Sequence, residues 1–210
     1  FGDSNTYGAD TEPIQRGLPL GRFDENTRWT ALLQKRLGSE YQVIEEGLGG
    51  RTTVFDDPAQ YGKSGYAALD IIFGSHDPLD LFIIMLGTND LRGEFCANAV
   101  TVYFGMMKIV NRLKDLRSRS LNPNMEILIV SPPPVIMRPE YFVQYDPKGI
   151  EELKKLPKVF TRLSHDLGVK FVDAAPWTDP GTVDGIHLDP AGHAIFAEKM
   201  EEQVHLILDK

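Results

Sequence analysis

Two short runs of nearly unbroken apolar residues, Leu81-Phe-Ile-Ile-Met-Leu86 and Glu126-Ile-Leu-Ile-Val130, constrain the fold more than any other feature. A strand with one face in water alternates apolar and polar residues. A run apolar at every position suits a strand covered on both faces, the habit of parallel sheets. Val43-Ile44 and Lys170-Phe-Val172 read as shorter strands of the same kind. Helical patterns lie between them. Trp29, Leu32, Leu33 and Leu37 keep a 3.6-residue spacing, with Gly38 as a stop. Val102, Met106, Ile109, Val110, Leu113 and Leu116 form a stripe over 99–116. A third pattern covers 150–167, where Pro157 predicts a kink or a split. The last opens with Asp189 as N-cap and Pro190 at the first helical position. Alternating strands and helices imply parallel strands with right-handed crossovers. The expectation is an α/β protein, a three-layer α/β/α sandwich, forming one domain over 1–210.

Composition removes several function classes. The chain of 210 residues carries 22 Lys+Arg against 30 Asp+Glu, a formal charge of −8. Without a basic excess to neutralise phosphates, a nucleic-acid partner is not expected. No apolar run approaches the ~18 residues of a membrane span, so no membrane partner is expected. The single cysteine, Cys96, can make neither an internal disulfide nor a cysteine zinc cluster. It suits a reducing, cytoplasmic location.

In an open parallel sheet, ligands sit beyond the carboxyl ends of the strands. The segments there are Gly2-Asp3-Ser4-Asn5, Gly47-Leu-Gly-Gly-Arg51, Gly87-Thr-Asn-Asp90, Ser131-Pro-Pro-Pro134 and Asp184-Gly-Ile-His187. A serine hydroxyl is a poor nucleophile until an imidazole takes its proton. The imidazole in turn needs a carboxylate on its other nitrogen. Asp184 and His187, three residues apart, can form that pair locally, and Ser4 can be the nucleophile. A developing oxyanion needs donors placed in advance. The candidates are the N–H groups of Ser4 and Gly50 and the side-chain amide of Asn89.

Each segment has a plainer reading. Gly-Asp-Ser is a common turn sequence. Asp184 and His187 could be a turn entering a helix; no carboxylate–histidine cluster with metal-ligand spacing surrounds them, so no metal is expected. Gly47-x-Gly-Gly hints at phosphate binding, but Thr52 stands where a third glycine would, and no Lys-Ser/Thr follows. A non-catalytic flavodoxin-like anion-binding module is the alternative from another class. His76, His165, His193 and His205 read as surface or helix residues without catalytic roles. What favours chemistry is that every segment follows its own strand.

Taken together, the segments resemble the SGNH (GDSL) hydrolase superfamily, whose blocks are a Gly-Asp-Ser, a glycine, a Gly-x-Asn-Asp and an Asp-x-x-His. Gly2-Asp3-Ser4, Gly50, Gly87-Thr88-Asn89-Asp90 and Asp184-Gly185-Ile186-His187 match them in order. The flanks, including Val43 to Thr53 and Val130 to Pro134, are most similar to the bacterial arylesterase and acyltransferase branch. The resemblance implies a flavodoxin-like, five-stranded parallel sheet. It implies Ser4 as nucleophile, His187 as general base and then acid, Asp184 as its orienting acid, and Ser4, Gly50 and Asn89 as the oxyanion hole. Only Phe1 precedes the Gly-Asp-Ser block, so the first strand is expected to be cut short. Asn5, Tyr7 and Ile186 are the expected substrate-binding residues.

The reaction expected is hydrolysis of a small ester through an acyl-serine, with transfer to another alcohol as an extension. It needs no metal and no organic cofactor. A carbohydrate or natural-product deacetylase would use the same residues. Ile14, Leu18, Leu20 and Phe23, then Val135, Ile136, Met137, Tyr141 and Phe142, and Trp177 are expected to form a narrow apolar entrance for short acyl groups. Members of the branch it resembles form oligomers, which makes a homo-oligomer the expectation for this chain.

Overall fold

The structure, a computed structural model, describes residues 1–136, 138 and 145–209. In chain order the elements are α1 (Ser4–Tyr7), β1 (Ala9–Asp10), β2 (Gly21–Arg22), α2 (Trp29–Leu37), α3 (Gly65–His76), β3 (Leu81–Ile84) and α4 (Ala99–Arg117). They continue with β4 (Glu126–Ser131), α5 (Pro147–Leu153), α6 (Leu156–Leu167), β5 (Lys170–Asp173) and α7 (Pro190–Leu208). Short 3-10 turns fill some of the connections. The chain divides into two compact units. One comprises Phe1–Gly49, Pro133–Val143 and Ala174–Lys210; the other comprises Gly50–Pro132 and Gln144–Asp173.

The second unit holds a parallel sheet of order β3-β4-β5. Leu81 pairs with Glu126, and Leu128 with Lys170. Five consecutive residues of β4, Ile127 to Ser131, are buried, as its unbroken apolar run requires. β3 departs from that pattern: Leu81 and Ile83 are half-buried and alternate with buried Phe82 and Ile84. Helix α4 buries Val102, Met106, Ile109, Val110 and Leu113, the expected stripe. The pattern over 150–167 splits into α5 and α6, and Pro157 sits in the first turn of α6, where a missing N–H costs nothing. Sequence reading missed α3, although Ser64 caps it by accepting from the Ala67 N–H at 3.4 Å.

The first unit is built on α2 and α7, which pack together. Phe196 is fully buried between Trp29 and Trp177, its ring centroid 5.0 Å from each. Asp189 caps α7 by accepting from the Gly192 N–H at 2.8 Å, with Pro190 leading the first turn.

The fold is α/β, but among the described residues the regular parallel sheet has three strands, not the expected five. Gly2 and Gly47 form one isolated parallel bridge, through Gly2 N–H to Glu46 O and Leu48 N–H to Gly2 O. The expected strand at Val43-Ile44 is irregular, because the Val43 N–H is taken by the Gln34 side chain at 2.7 Å. Among the described residues no helix is long and apolar enough to cross a membrane.

Candidate active site

Ser4 opens α1, a single helical turn built by its neighbours. Asp3 precedes it and accepts from the Asn5 N–H at 3.0 Å. Gly8 ends the turn in the left-handed region and donates its N–H to Ser4 O. Gly47 lies so close beneath that a β-carbon there would stand 2.2 Å from the Tyr7 nitrogen, so only glycine fits. Ser4 is thereby held by backbone geometry on both sides.

His187 and Asp184 lie on the loop that enters α7. Asp184 Oδ1 accepts from the N–H groups of Ile186 (2.8 Å) and His187 (3.0 Å), an Asx-type turn that curls the chain back on itself. Asp184 Oδ2 is left to meet His187 Nδ1 at 2.5 Å. Gly185 makes the turn at φ +72°, and a β-carbon there would fall 1.9 Å from the Ile136 carbonyl oxygen. The Ile136 N–H donates to Gly185 O at 2.8 Å, and Gly181 N–H to His187 O at 2.7 Å, anchoring the loop at both ends.

The three side chains meet. His187 Nε2 stands 2.8 Å from Ser4 Oγ. All three residues are buried, Asp184 at 1% exposure. Burial pushes the Asp184 carboxyl up, but the His187 hydrogen bond and charge, with the two loop N–H groups, outweigh it and hold the acid below its ordinary value. Asp184 is therefore a carboxylate at neutral pH. His187 Nδ1 must carry the proton, which leaves Nε2 as acceptor for the Ser4 Oγ–H. This is the state from which an imidazole can remove the serine proton.

In the second unit, Asn89 is buried and its Nδ2 donates to Arg51 O at 3.1 Å, which orients the amide. Asp90 accepts from the Thr53 N–H, at 3.1 and 3.0 Å to its two oxygens, and from the Thr53 hydroxyl. The Asn-Asp pair thus holds the loop that follows Gly50, a role for Asp90 that motif reading did not assign. Gly50 itself adopts φ +76°. Among the described residues, no group of His, Cys, Asp or Glu is arranged to hold a metal ion.

The expected substrate-binding residues separate. Tyr7 is half-buried, with the Arg22 guanidinium 4.4 Å over its ring. The Ile186 side chain is buried, and its carbonyl accepts from Asn5. Asn5 is buried, and its amide bonds to the Asp–His loop. Of the expected entrance, Leu18, Leu20 and Ile136 are exposed and Val135 is buried, while Trp177 packs on Phe196. Met137, Tyr141 and Phe142 lie outside the described residues. His193, expected on a surface or helix, is on α7 but fully buried, with its ring edge-on to Phe23 and its Nδ1 accepting from the Trp29 N–H at 3.2 Å. Its helical position reads as exposed only if Trp29 and Phe23 are not known to cover it.

The chain matches the GDSL-like Lipase/Acylhydrolase family over residues 1–195. It is similar to the solved aryl esterase of M. smegmatis, at 36% identity and TM-score 0.92, covering 99% of this chain and 97% of that one. It is also similar to Est24, a carbohydrate acetylesterase from Sinorhizobium meliloti, at 33% identity and TM-score 0.92, with coverage of 99% and 97%. None of the curated proteins matches the chain in sequence.

Proposed function

Since the chain belongs to the GDSL-like lipase/acylhydrolase family and is a carboxylic ester hydrolase, we propose that it cleaves short-chain acyl esters through an acyl-enzyme on Ser4. The observation that carries this reading is the continuous contact Ser4 Oγ–His187 Nε2–His187 Nδ1–Asp184 Oδ2, at 2.8 and 2.5 Å.

The steps follow from the protonation states. Ser4 Oγ attacks the ester carbonyl as His187 Nε2 takes its proton. The imidazolium so formed is stabilised by the Asp184 carboxylate. The donors we assign to the oxyanion are the Ser4 and Gly50 N–H groups and the Asn89 amide, on the family's motif. Collapse expels the alcohol, which takes the proton from His187. Water, or a second alcohol, then enters; His187 removes its proton, and the acid or the new ester leaves. No step calls for a metal or an organic cofactor, since general base and oxyanion donors supply the charge stabilisation.

A second reading, a carbohydrate O-deacetylase, is favoured by the likeness to the Sinorhizobium acetylesterase. Both readings predict small acyl groups. Hydrolysis of p-nitrophenyl acetate, butyrate and octanoate, run beside an acetylated sugar, tests them. Falling kcat/KM with chain length supports the short-chain reading, and faster cleavage of octanoate contradicts it. A higher kcat/KM on the acetylated sugar than on the aryl acetate would favour the deacetylase.

A further inference from the structure

The sequence puts Asn5 beside the nucleophile, where a substrate contact is the natural expectation. Its hydrogen bonds say otherwise. Asn5 Nδ2 donates to the Ile186 carbonyl at 3.2 Å. Asn5 Oδ1 accepts from the Leu188 N–H at 2.9 Å. Those partners fix which end of the amide is which, since a carbonyl cannot donate and an N–H cannot accept. The Ile186 carbonyl and the Leu188 nitrogen belong to the two peptide groups that flank His187. One side chain therefore grips the general base from both sides of its backbone.

Asn5 is itself held. Its N–H donates to Asp3 Oδ1 at 3.0 Å, and its carbonyl accepts from the Trp29 indole N–H at 3.0 Å. Trp29 in turn donates its backbone N–H to His193 Nδ1. Asn5 is 4% exposed, so water competes poorly for its partners and these bonds hold their geometry. Both the oxygen and the nitrogen of the amide are engaged with the segment that carries His187.

We propose that Asn5 is a positioning residue: it sets the distance and angle between Ser4 Oγ and His187 Nε2 by tying the turn that carries the nucleophile to both peptides of the general base. This rests on the serine-esterase reading above. Ser4 and His187 are 183 residues apart in sequence, and the Asp184 bonds fix the ring only within its own loop. Asn5 supplies the tie between the two segments. Because proton transfer depends steeply on geometry, a displacement of about 1 Å can cost about 10²-fold in rate.

The test compares wild type, Asn5→Leu and Asn5→Asp, each checked for an unchanged near-UV circular dichroism spectrum. Asn5→Leu keeps the size and removes both bonds. It should lower kcat for p-nitrophenyl acetate by about 10²-fold with KM within about two-fold, and slow phosphonylation of Ser4 by a fluorophosphonate in parallel. Asn5→Asp keeps the acceptor for Leu188 but sets an oxygen against the Ile186 carbonyl. Its loss should be smaller and should shrink relative to wild type as pH falls, because the protonated carboxyl regains a donor. The low-field proton resonance of His187 Nδ1 should shift or broaden in both. If Asn5→Leu does not fold, Asn5→Asp and Asn5→Ala, which removes both bonds to the His187 peptides, carry the same comparison. Full kcat in these variants, or a loss confined to KM or to acyl-chain preference, would overturn the proposal and make Asn5 a packing residue or a substrate contact. Turnover that survives Ser4→Ala would instead overturn the esterase reading, whatever Asn5 does.

Discussion

Asp184 and His187 are joined twice, ring to carboxylate at 2.5 Å through Nδ1 and Oδ2, and backbone to carboxylate at 3.0 Å through the His187 N–H and Oδ1. The second bond sets the loop conformation, and the first sets the tautomer. An acid that did only one of these would leave the imidazole either misplaced or wrongly protonated.

Asp184→Asn separates the two roles. The amide oxygen can keep accepting from the loop N–H groups, but an NH2 then faces His187 Nδ1. The ring must present a lone pair there and carry its proton on Nε2, where it cannot accept from Ser4. We expect kcat to fall by about 10³–10⁴ with the melting temperature changed by only a few degrees. Steady-state kinetics with thermal unfolding on the same sample checks this. An active Asp184→Asn enzyme would contradict the assignment of the acid.

Gly185→Ala should break the same loop by a different route. The position has φ +72°, and a β-carbon would meet the Ile136 carbonyl oxygen at 1.9 Å. Left-handed backbone alone costs a non-glycine residue about 1–2 kcal/mol, and the clash adds to it. Gly17, at φ +70° with nothing within 4 Å, is the control. Gly17→Ala should lose about 1–2 kcal/mol and keep full activity, whereas Gly185→Ala should lose more stability and most of its kcat. Urea unfolding and esterase assays distinguish the two.

His193 predicts a pH dependence of stability. Burial pushes its imidazole down to about 4 from the ordinary 6.5, with the nearby Asp189 charge opposing and that of His187 adding. Between those values the unfolded chain binds a proton that the folded chain refuses. Stability therefore falls as pH drops from 6.5 toward 4, by about 3 kcal/mol for this group, and the group has no further effect below that window or above it. His193→Asn, which keeps an acceptor for the Trp29 N–H, should flatten that part of the profile. Urea midpoints from pH 4 to 7 measure it, and equal slopes in both proteins would contradict the prediction.

Much of the candidate site's geometry was legible in the residues. The three-residue spacing of Asp184 and His187 is local chemistry, readable without a fold, and α2, α4 and α7 follow their apolar spacing and caps. What escaped depends on contacts distant in sequence. The Asn5 bonds to Ile186 and Leu188 could not be read, because those partners lie 181 and 183 positions away. The burial of His193, expected on a surface or helix, could not be read because nothing in its own helix says that Phe23 and Trp29 cover it. The strand at Val43-Ile44 has the right residues, but the Gln34 side chain takes the N–H that a ladder would use.

Asn89→Ala examines the oxyanion donors. If the Asn89 amide meets the developing charge, its loss should lower kcat by about 10²–10³ and leave KM nearly unchanged. Asn89 also holds the Arg51 carbonyl, so Asn89→Asp, which removes the donor without removing the bulk, should be measured beside it. Equal kcat in wild type and Asn89→Ala would take Asn89 out of the mechanism.

The most direct test of the account is p-nitrophenyl acetate turnover by wild type and Ser4→Ala, each confirmed as folded. The Ser4 hydroxyl lies 2.8 Å from His187 Nε2 and is the one nucleophile the protein itself supplies in the proposed mechanism. The account predicts rapid acetate release by the wild type and none above background in Ser4→Ala. Turnover retained in the variant would contradict it.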